Sequence, residues 1–171
     1  YYNQALLISR QVRDRAGEGG ILNNIGSVYR DLGQYPQALE YYDQSLVISR
    51  EVRDHLSEGV TLNNSGRIYN NLGQYSQALE YFEQSLIINR ETGNRTYEGA
   101  TLNNIGGVYD NLGQYSQALE YFKQSLVISR EIENRAYEGA TLNNIGRIYD
   151  NFVEYHQALK YFEQSLAISR E

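Results

Sequence analysis

Pairs of asparagines recur along the chain at intervals of 40 residues. The pairs are Asn23 and Asn24, Asn63 and Asn64, Asn103 and Asn104, and Asn143 and Asn144. Each side-chain amide offers both a hydrogen-bond donor and an acceptor, so a ladder of such amides can hold a peptide backbone without reading its side chains. The alternative role is structural, in which an amide bonds the neighbouring helix and stabilises stacking. We expect a split, with one amide of each pair available to a ligand and the other structural.

A variable position lies one helical turn beyond each pair. It is occupied by Ser27, Arg67, Gly107 and Arg147. In a repeat scaffold, the positions that vary between otherwise constant units determine the specificity for a ligand. Arg67 and Arg147 can each pair bidentately with a carboxylate of a partner. A solvated surface arginine is the alternative for either one.

The residues that catalysis or metal binding would need are missing or scattered. The chain has no Cys, and its two histidines, His55 and His156, lie about 100 residues apart. The segment Gly17–Gly20 resembles a phosphate loop in its glycines, but no predicted strand precedes it. We therefore expect no enzymatic activity, no cofactor and no bound metal.

Charge and hydropathy exclude two further classes of protein. The chain has 15 Lys and Arg against 21 Asp and Glu, a net charge of −6, which argues against a sequence-independent grip on nucleic acid. The longest aliphatic run is Ala5–Ile8, far short of the roughly 20 residues that a membrane span needs. We expect a cytoplasmic protein whose partners include neither nucleic acid nor a membrane.

The asparagine pairs and the variable positions recur because the sequence is built from a 40-residue repeat. Residues 12–171 hold four units, and residues 1–11 match the second half of a unit. Because the chain begins inside a unit and contains no Met, we expect a fragment of a longer array, with a designed array as the alternative.

Each unit carries two apolar patterns with a period of 3.6 residues, which predicts two helices per unit. The predicted helix pairs are 15–32/35–52, 55–72/75–92, 95–112/115–132 and 135–152/155–170, after a single helix over about 1–13. The predicted domain is one array over 1–171, with repeats at 15–52, 55–92, 95–132 and 135–171.

Short polar and glycine residues mark the ends of these helices. The predicted N-caps are Asp14, Asp54, Asn94 and Asn134. Gly33 suits a left-handed residue after the first helix, and Pro36 suits the first turn of the second. Glycines at the middle of the first helices predict close helix contact, because glycine costs about 1 kcal/mol there against alanine. These are Gly26, Gly66, Gly106 and Gly146, with Ala38, Ala78, Ala118 and Ala158 as the expected facing residues.

The pattern Leu22-x-x-Ile25-Gly26-x-x-Tyr29, followed by Leu32-Gly33-x-Tyr35-x-x-Ala38-Leu39-x-x-Tyr42, resembles the tetratricopeptide repeat. The 40-residue length is similar to the repeats of kinesin light chains, of the LGN/Pins adaptors and of bacterial multi-repeat proteins. The resemblance implies an all-α, right-handed superhelical solenoid of antiparallel helix pairs. It also implies a concave groove, lined by the first helix of each pair, that holds a partner's peptide segment.

The resemblance places all eight paired asparagines in that groove, with Arg67 and Arg147 beside them. Further along the same face come Arg30, Asn70, Asp110 and Asp150, which make the expected groove more acidic toward the C-terminal units. A peptide with an acidic end near Arg67 and a basic end near Asp110 and Asp150 suits that gradient.

Two units depart from the repeat. Ser65 replaces the isoleucine of the other three units; if the site is buried, the loss costs roughly 2–4 kcal/mol, although the hydroxyl can bond the carbonyl four residues back. Val153 replaces the glycine of the turn within the pair. Since a valine with positive φ is strained, we expect another turn geometry there.

Two other readings remain open. The terminal helices lack a polar capping helix, so Phe162, Leu166 and Ala167 of the last helix are expected on an apolar outer face that could stack head to tail on another chain. Alternatively, the array is the sensor segment of a larger signalling enzyme.

Overall fold

The computed structural model describes residues 2–170, with side chains for residues 4–170. Within this range the chain folds into nine helices and no strand, which confirms the all-α prediction. The helices are α1 Tyr2–Gln11, α2 Arg15–Asp31, α3 Tyr35–Glu51, α4 His55–Asn71, α5 Tyr75–Glu91, α6 Arg95–Asn111, α7 Tyr115–Glu131, α8 Arg135–Asn151 and α9 Tyr155–Ile168. Tyr1 and Glu171, which the predicted array includes, lie outside the described residues.

The helices form two units, Tyr1–Thr92 and Gly93–Glu171. Unit 1 contains α1 to α5, unit 2 contains α6 to α9, and consecutive helices pack against each other within each unit. We call the first helix of each pair an A helix (α2, α4, α6 and α8). The second helix of each pair is a B helix (α3, α5, α7 and α9), and α1 is a B helix by its sequence. The single array over 1–171 and its right-handed superhelix stay predictions.

Side-chain caps begin the A helices at the predicted residues. Asp14 accepts a hydrogen bond from the Gly17 backbone N–H at 2.9 Å. The same bond to the residue three positions on is made by Asp54, Asn94 and Asn134. Helices α2 and α3 end one residue before the predicted ends, because Leu32 and Val52 are the C-cap residues.

The turn within each pair needs a left-handed residue. Gly33 has a φ of +73° and donates its N–H to the Arg30 carbonyl at 2.9 Å, while Gln34 donates to the Tyr29 carbonyl at 2.9 Å. These two bonds satisfy carbonyls that the end of the helix would leave unpaired.

The expectation of another turn geometry at Val153 is wrong. Val153 has a φ of +63° and donates to the Asp150 carbonyl at 2.9 Å, and Glu154 donates to the Tyr149 carbonyl at 2.9 Å. The last pair therefore closes with the same two bonds as the first. The packing of α8 on α9 and these bonds outweigh a local cost of roughly 1–2 kcal/mol for a left-handed valine.

We expect Val153→Gly to raise the free energy of unfolding by about 1 kcal/mol, because it removes this strain and the Val153 side chain is exposed. Urea unfolding followed by circular dichroism measures the change. Gly113→Val, in the equivalent turn of the preceding pair, is the reciprocal variant and should lower stability. A Val153→Gly protein less stable than the parent would contradict the strain argument.

The mid-helix glycines lie against aromatic rings of the paired B helix. A Cβ at Gly26 would lie 2.6 Å from two ring carbons of Tyr42 and 3.1 Å from the Ala38 carbonyl oxygen. The same ring position is Phe82, Phe122 and Phe162 opposite the other three glycines. Close contact is as predicted, but the principal facing residue is the aromatic ring rather than the alanine. A flat ring fills the space that the missing Cβ leaves.

Ser65 makes the hydrogen bond that the sequence suggested. Its side chain is fully buried, and Oγ donates to the Thr61 carbonyl at 3.1 Å. The hydroxyl thus has a partner inside its own helix, so the unit loses apolar packing without leaving a buried polar group unpaired.

Ser27 is hydrogen-bonded to Tyr42. Tyr42 is the ring opposite Gly26, and the equivalent residue is Phe in the other three units. Ser27 Oγ lies 3.1 Å from Tyr42 Oη, and Tyr42 is fully buried. Ser27, predicted to be a variable groove residue, is therefore half-buried and serves the core.

Ser27→Ala should lower the free energy of unfolding by about 1 kcal/mol, since it leaves the buried Tyr42 hydroxyl without this partner. In a Tyr42→Phe background the same substitution should be nearly neutral, and thermal unfolding of the four proteins gives the coupling. Equal costs of Ser27→Ala in both backgrounds would show that the hydrogen bond contributes nothing.

Candidate peptide-binding face of the A helices

Asparagines of successive A helices bond each other within each unit. In unit 1, Asn64 Nδ2 donates to Asn23 Oδ1 at 3.1 Å. In unit 2, Asn144 Nδ2 donates to Asn103 Oδ1 at 3.1 Å. The first asparagine of one pair therefore bonds the second asparagine of the next, so the pairs link neighbouring A helices.

A buried threonine completes each link. Thr61 Oγ1 lies 3.3 Å from Asn23 Oδ1, and Thr141 Oγ1 lies 3.4 Å from Asn103 Oδ1. Neither threonine was among the predicted site residues. Their recurrence two positions before the Asn pair was the feature of the sequence that could have indicated them.

Burial separates the asparagines further. Asn63 is 4% exposed, whereas Asn24 is exposed. The second asparagines Asn64, Asn104 and Asn144 are half-buried, and Asn143 is exposed on the last A helix. Asn23 and Asn103 are half-buried and bond the next A helix of their own unit, while Asn24 and Asn143 stay exposed.

Two arginines, Arg30 and Arg67, lie near Asn64 of α4 in the structure or along the helix. Arg30 Nη1 donates to Asn64 Oδ1 at 3.2 Å, and Asp31 Oδ1 accepts from Arg30 Nη2 at 2.9 Å. Both ends of the Asn64 amide are therefore held, the nitrogen by Asn23 and the oxygen by Arg30. Arg67 is exposed and makes no hydrogen bond or ion pair with the part of the chain that the structure describes.

The equivalent arginine of α8 is engaged. Arg147 Nη2 lies 3.1 Å from Asp110 Oδ2, and the Asp110 side chain is 11% exposed. This ion pair neutralises Asp110 within unit 2, so the acidic end of the expected charge gradient is left to Asp150, which is exposed.

Buried glutamates fix α2, α4 and α8 against the B helix that precedes each of them. Glu18 Oε1 accepts from Arg10 Nε at 2.6 Å, and Glu18 Oε2 accepts from Arg15 Nη1 at 2.6 Å. The same bond across 8 residues joins Arg50 to Glu58 at 2.7 Å and Arg130 to Glu138 at 2.8 Å. The carboxylates of all three pairs are buried.

Two of these carboxyl groups are held in the charged form. The hydrogen bond from Arg10 is the main reason that the pKa of Glu18 lies below its ordinary value, and Arg15 adds to it against the opposing effect of burial. Burial alone would raise the pKa of Glu138, but hydrogen bonds from Arg130 and Arg135 hold it below the ordinary value.

Stacked tyrosines join the A and B helices of each pair. Tyr29 stacks on Tyr41 with ring centroids 5.3 Å apart. The equivalent stacks have centroids 5.1–5.4 Å apart and are Tyr69 on Tyr81, Tyr109 on Tyr121, and Tyr149 on Tyr161. All of these rings are half-buried, as expected for a ring that packs in a pair with its hydroxyl near the surface.

Residues 2–170 hold no group of three or more His, Asp or Glu side chains that could bind a metal ion. His55 lies in the first turn of α4 with Nδ1 3.5 Å from Glu58 Oε2, and His156 is exposed in the first turn of α9. Among the described helices, none is both long and apolar enough to cross a membrane.

Antiparallel helix pairs that repeat every 40 residues, with small residues at the pair contact, define a helical repeat protein. The sequence model of the tetratricopeptide repeat matches residues 17–91 and 97–171. The chain therefore belongs to the tetratricopeptide repeat family, whose members mediate protein–protein interactions. Among curated proteins, none matches the sequence.

Solved structures share this fold at low sequence identity. A kinesin light chain-like repeat protein of Podosopora anserina is 22% identical with a TM-score of 0.71, over 98% of this chain and 83% of that one. Aspartyl phosphate phosphatase F of Bacillus subtilis is 20% identical with a TM-score of 0.91, over 99% of this chain and 44% of that one. A Rap protein complexed with Competence and Sporulation Factor is 19% identical with a TM-score of 0.90, over 99% and 47%. This chain thus spans less than half of the latter two proteins, and the likeness shows the fold alone.

Proposed function

We propose that the A-helix face of each unit binds an extended peptide segment of a partner protein. In unit 1 the contact residues are Asn24, Asn64 and Arg67. In unit 2 they are Asn104, Asn144 and Arg147, while Asn23, Asn63, Asn103 and Asn143 hold or extend the face. The amides bond the peptide backbone, and Arg67 selects a carboxylate.

The arrangement around Asn64 carries this proposal. Its amide is fixed at both ends, by Asn23 and by Arg30, and the unpaired guanidinium of Arg67 follows one turn along the same helix. A polar group that is already oriented loses less conformational freedom when a ligand binds. Arg67 also has no internal carboxylate to release, unlike Arg147, which must exchange Asp110.

The test begins with peptides selected by the intact chain from a displayed library, whose affinity is then measured by fluorescence anisotropy. We expect Asn24→Ala, Asn64→Ala and Arg67→Ala, combined in one protein, to weaken binding at least tenfold, since about 1.4 kcal/mol is tenfold and each bond contributes roughly 0.5–1.5 kcal/mol. Gln37→Ala with Gln117→Ala, two exposed amides on B helices, is the matched control and should change affinity less than about twofold.

Peptides that bind the triple variant as tightly as the parent would contradict the proposed face. The Arg67→Ala, Arg147→Ala double variant tests the charge preference separately. It should weaken only peptides that carry a carboxylate, and unchanged affinity for such peptides would exclude carboxylate recognition.

Head-to-tail stacking through the ends of the chain has less support. Leu166 is 49% exposed on α9, but the Phe162 ring lies against Gly146 and is half-buried. The exposed residues of α1 include Leu7 and Ile8. Both ends are B helices, whereas the junctions inside each unit join a B helix to an A helix with its glycine. A mass that rises with concentration in light scattering would restore this alternative.

A further inference from the structure

A cleft of about 480 Å³ opens on the B-helix side of unit 1, between α3 and α5. Its walls carry Asp43 and Arg50 from α3 and Gln77, Glu80 and Gln84 from α5, and its floor includes Tyr69 of α4 beside Tyr81. The volume lies in the range of small-ligand sites, and the polar residues converge on it from two helices. It is separate from the A-helix face described above.

The cleft carries uncompensated negative charge. Asp43 and Glu80 make no ion pair or hydrogen bond with other residues in the described part of the chain. The nearby cation, Arg50, already donates from Nε to Glu58 at 2.7 Å. Asp43 and Glu80 therefore face a cavity whose cationic side chain, Arg50, already pairs with Glu58.

The pKa values of groups around the cleft agree with uncompensated negative charge there. Desolvation by the neighbouring helices raises the pKa of Asp43. Burial raises the pKa of Tyr81 to about 12, together with the adjacent Tyr69 and the charges of Asp43 and Glu80. The phenol stays neutral, and a cation in the cleft would relieve both effects.

Unit 2 presents the same positions with inverted charge. The residues 80 positions on from Asp43 and Glu80 are Lys123 and Lys160, while the tyrosine and glutamine positions are unchanged. Lys123 Nζ lies 6.0 Å from the centroid of the Tyr149 ring, the counterpart of Tyr69. The chain thus places its own alkylammonium group beside this tyrosine in one unit, and a carboxylate with no cation at the same position in the other.

We propose that the cleft between α3 and α5 binds an alkylammonium ion, supplied by a lysine side chain of a partner or by a free diamine. Asp43 pairs with the ammonium group, the Tyr69 ring receives it as Tyr149 receives Lys123, and Glu80 accepts a second ammonium group when the ligand has one. The cation–π contact and the two charge pairs are each modest at an accessible site, so affinity requires them together.

The intact chain is titrated by NMR with butylammonium, 1,4-diaminobutane, a lysine-containing tripeptide blocked at both ends, and 1-butanol as the uncharged control. We expect saturable binding of the amines and none of butanol. Asp43→Asn with Glu80→Gln should weaken amine binding roughly fivefold to tenfold. Glu40→Gln with Glu83→Gln removes the same charge from exposed positions on the same helices and should leave binding unchanged.

A gain of function provides the second arm. Lys123→Asp with Lys160→Glu recreates the unit 1 residues in unit 2 and should raise the stoichiometry from one amine to two. Binding of the diamine but not the tripeptide identifies a free diamine as the ligand, and the reverse identifies a protein lysine. Absence of saturable amine binding, or equal binding by the Asp43→Asn, Glu80→Gln protein with an unchanged circular dichroism spectrum, would overturn the proposal.

Discussion

Gly106→Ala is expected to lower the free energy of unfolding by up to about 2 kcal/mol, although alanine is the better helix former. A Cβ at Gly106 would lie 2.7 Å from two ring carbons of Phe122, a ring that is 1% exposed. Phe122 packs with Leu126, Ile145 and other buried residues of α7 and α8, so a shift of the ring would displace these side chains. Overpacking a filled core costs typically 1–3 kcal/mol, which exceeds the roughly 1 kcal/mol that alanine gains in a helix.

The neighbouring residue provides the control in the same helix. A Cβ at Gly107 would meet nothing within 4 Å, so Gly107→Ala should raise stability by about 1 kcal/mol. The two substitutions add the same methyl group one position apart and should have opposite signs in urea unfolding. If Gly106→Ala were as stabilising as Gly107→Ala, the close packing of α6 on α7 would be wrong.

The second large effect is expected at Glu138. Its carboxylate is buried and accepts from Arg130 Nε at 2.8 Å and from Arg135 Nη1 at 2.6 Å. Glu138→Gln removes the charge from both bonds, and we expect it to lower the free energy of unfolding by about 2 kcal/mol, because bonds to charged groups contribute roughly 1.5–3 kcal/mol. The arginines are about half exposed and can be rehydrated, which keeps the loss below that of a fully buried ion pair.

The effect at Glu138 should depend on pH in one direction. A carboxyl whose pKa is lower in the folded state than in the unfolded state stabilises the fold above the unfolded value, and this contribution is lost as the pH falls through the folded value. The difference between parent and Glu138→Gln should therefore be full at pH 7 and shrink below about pH 4.3, the ordinary glutamate pKa. Glu163→Gln, at an exposed position of α9, is the control. A difference that grew on acidification would contradict this account.

Much of the fold could be predicted because each repeat contains the same apolar pattern and the same type of helix-capping residue. The 3.6-residue pattern set the helix pairs, and Asp14 and its three equivalents set the beginnings of the A helices. Val153 shows where local rules fail. The propensity of valine argued against a left-handed residue, but the helices on either side of the turn and two backbone hydrogen bonds decide its geometry.

The candidate site could be predicted only in part, because its details depend on contacts between helices. The recurrence of asparagine indicated a role, but the bond from Asn64 to Asn23 spans 41 residues and follows from the stacking of two A helices. Ser27 looked like a specificity residue because its position varies between units. Its structural role was missed because its partner, the Tyr42 hydroxyl, lies on another helix. Position-by-position comparison of the repeats would have indicated the exchange of Asp43 for Lys123, but the cleft beside it exists only in the folded chain.

The proposed function requires that the A helices, and not the B helices, contact the partner peptide. Photo-crosslinking tests it most directly, with a photoreactive amino acid placed singly at Asn24, Arg67 or Asn104 on A helices, or at Gln37, Glu83 or Glu120 on B helices, in the presence of a selected peptide. We expect crosslinks from the A-helix positions that are competed away by unlabelled peptide. Competed crosslinks from the B-helix positions, with none from Asn24, Arg67 or Asn104, would contradict it.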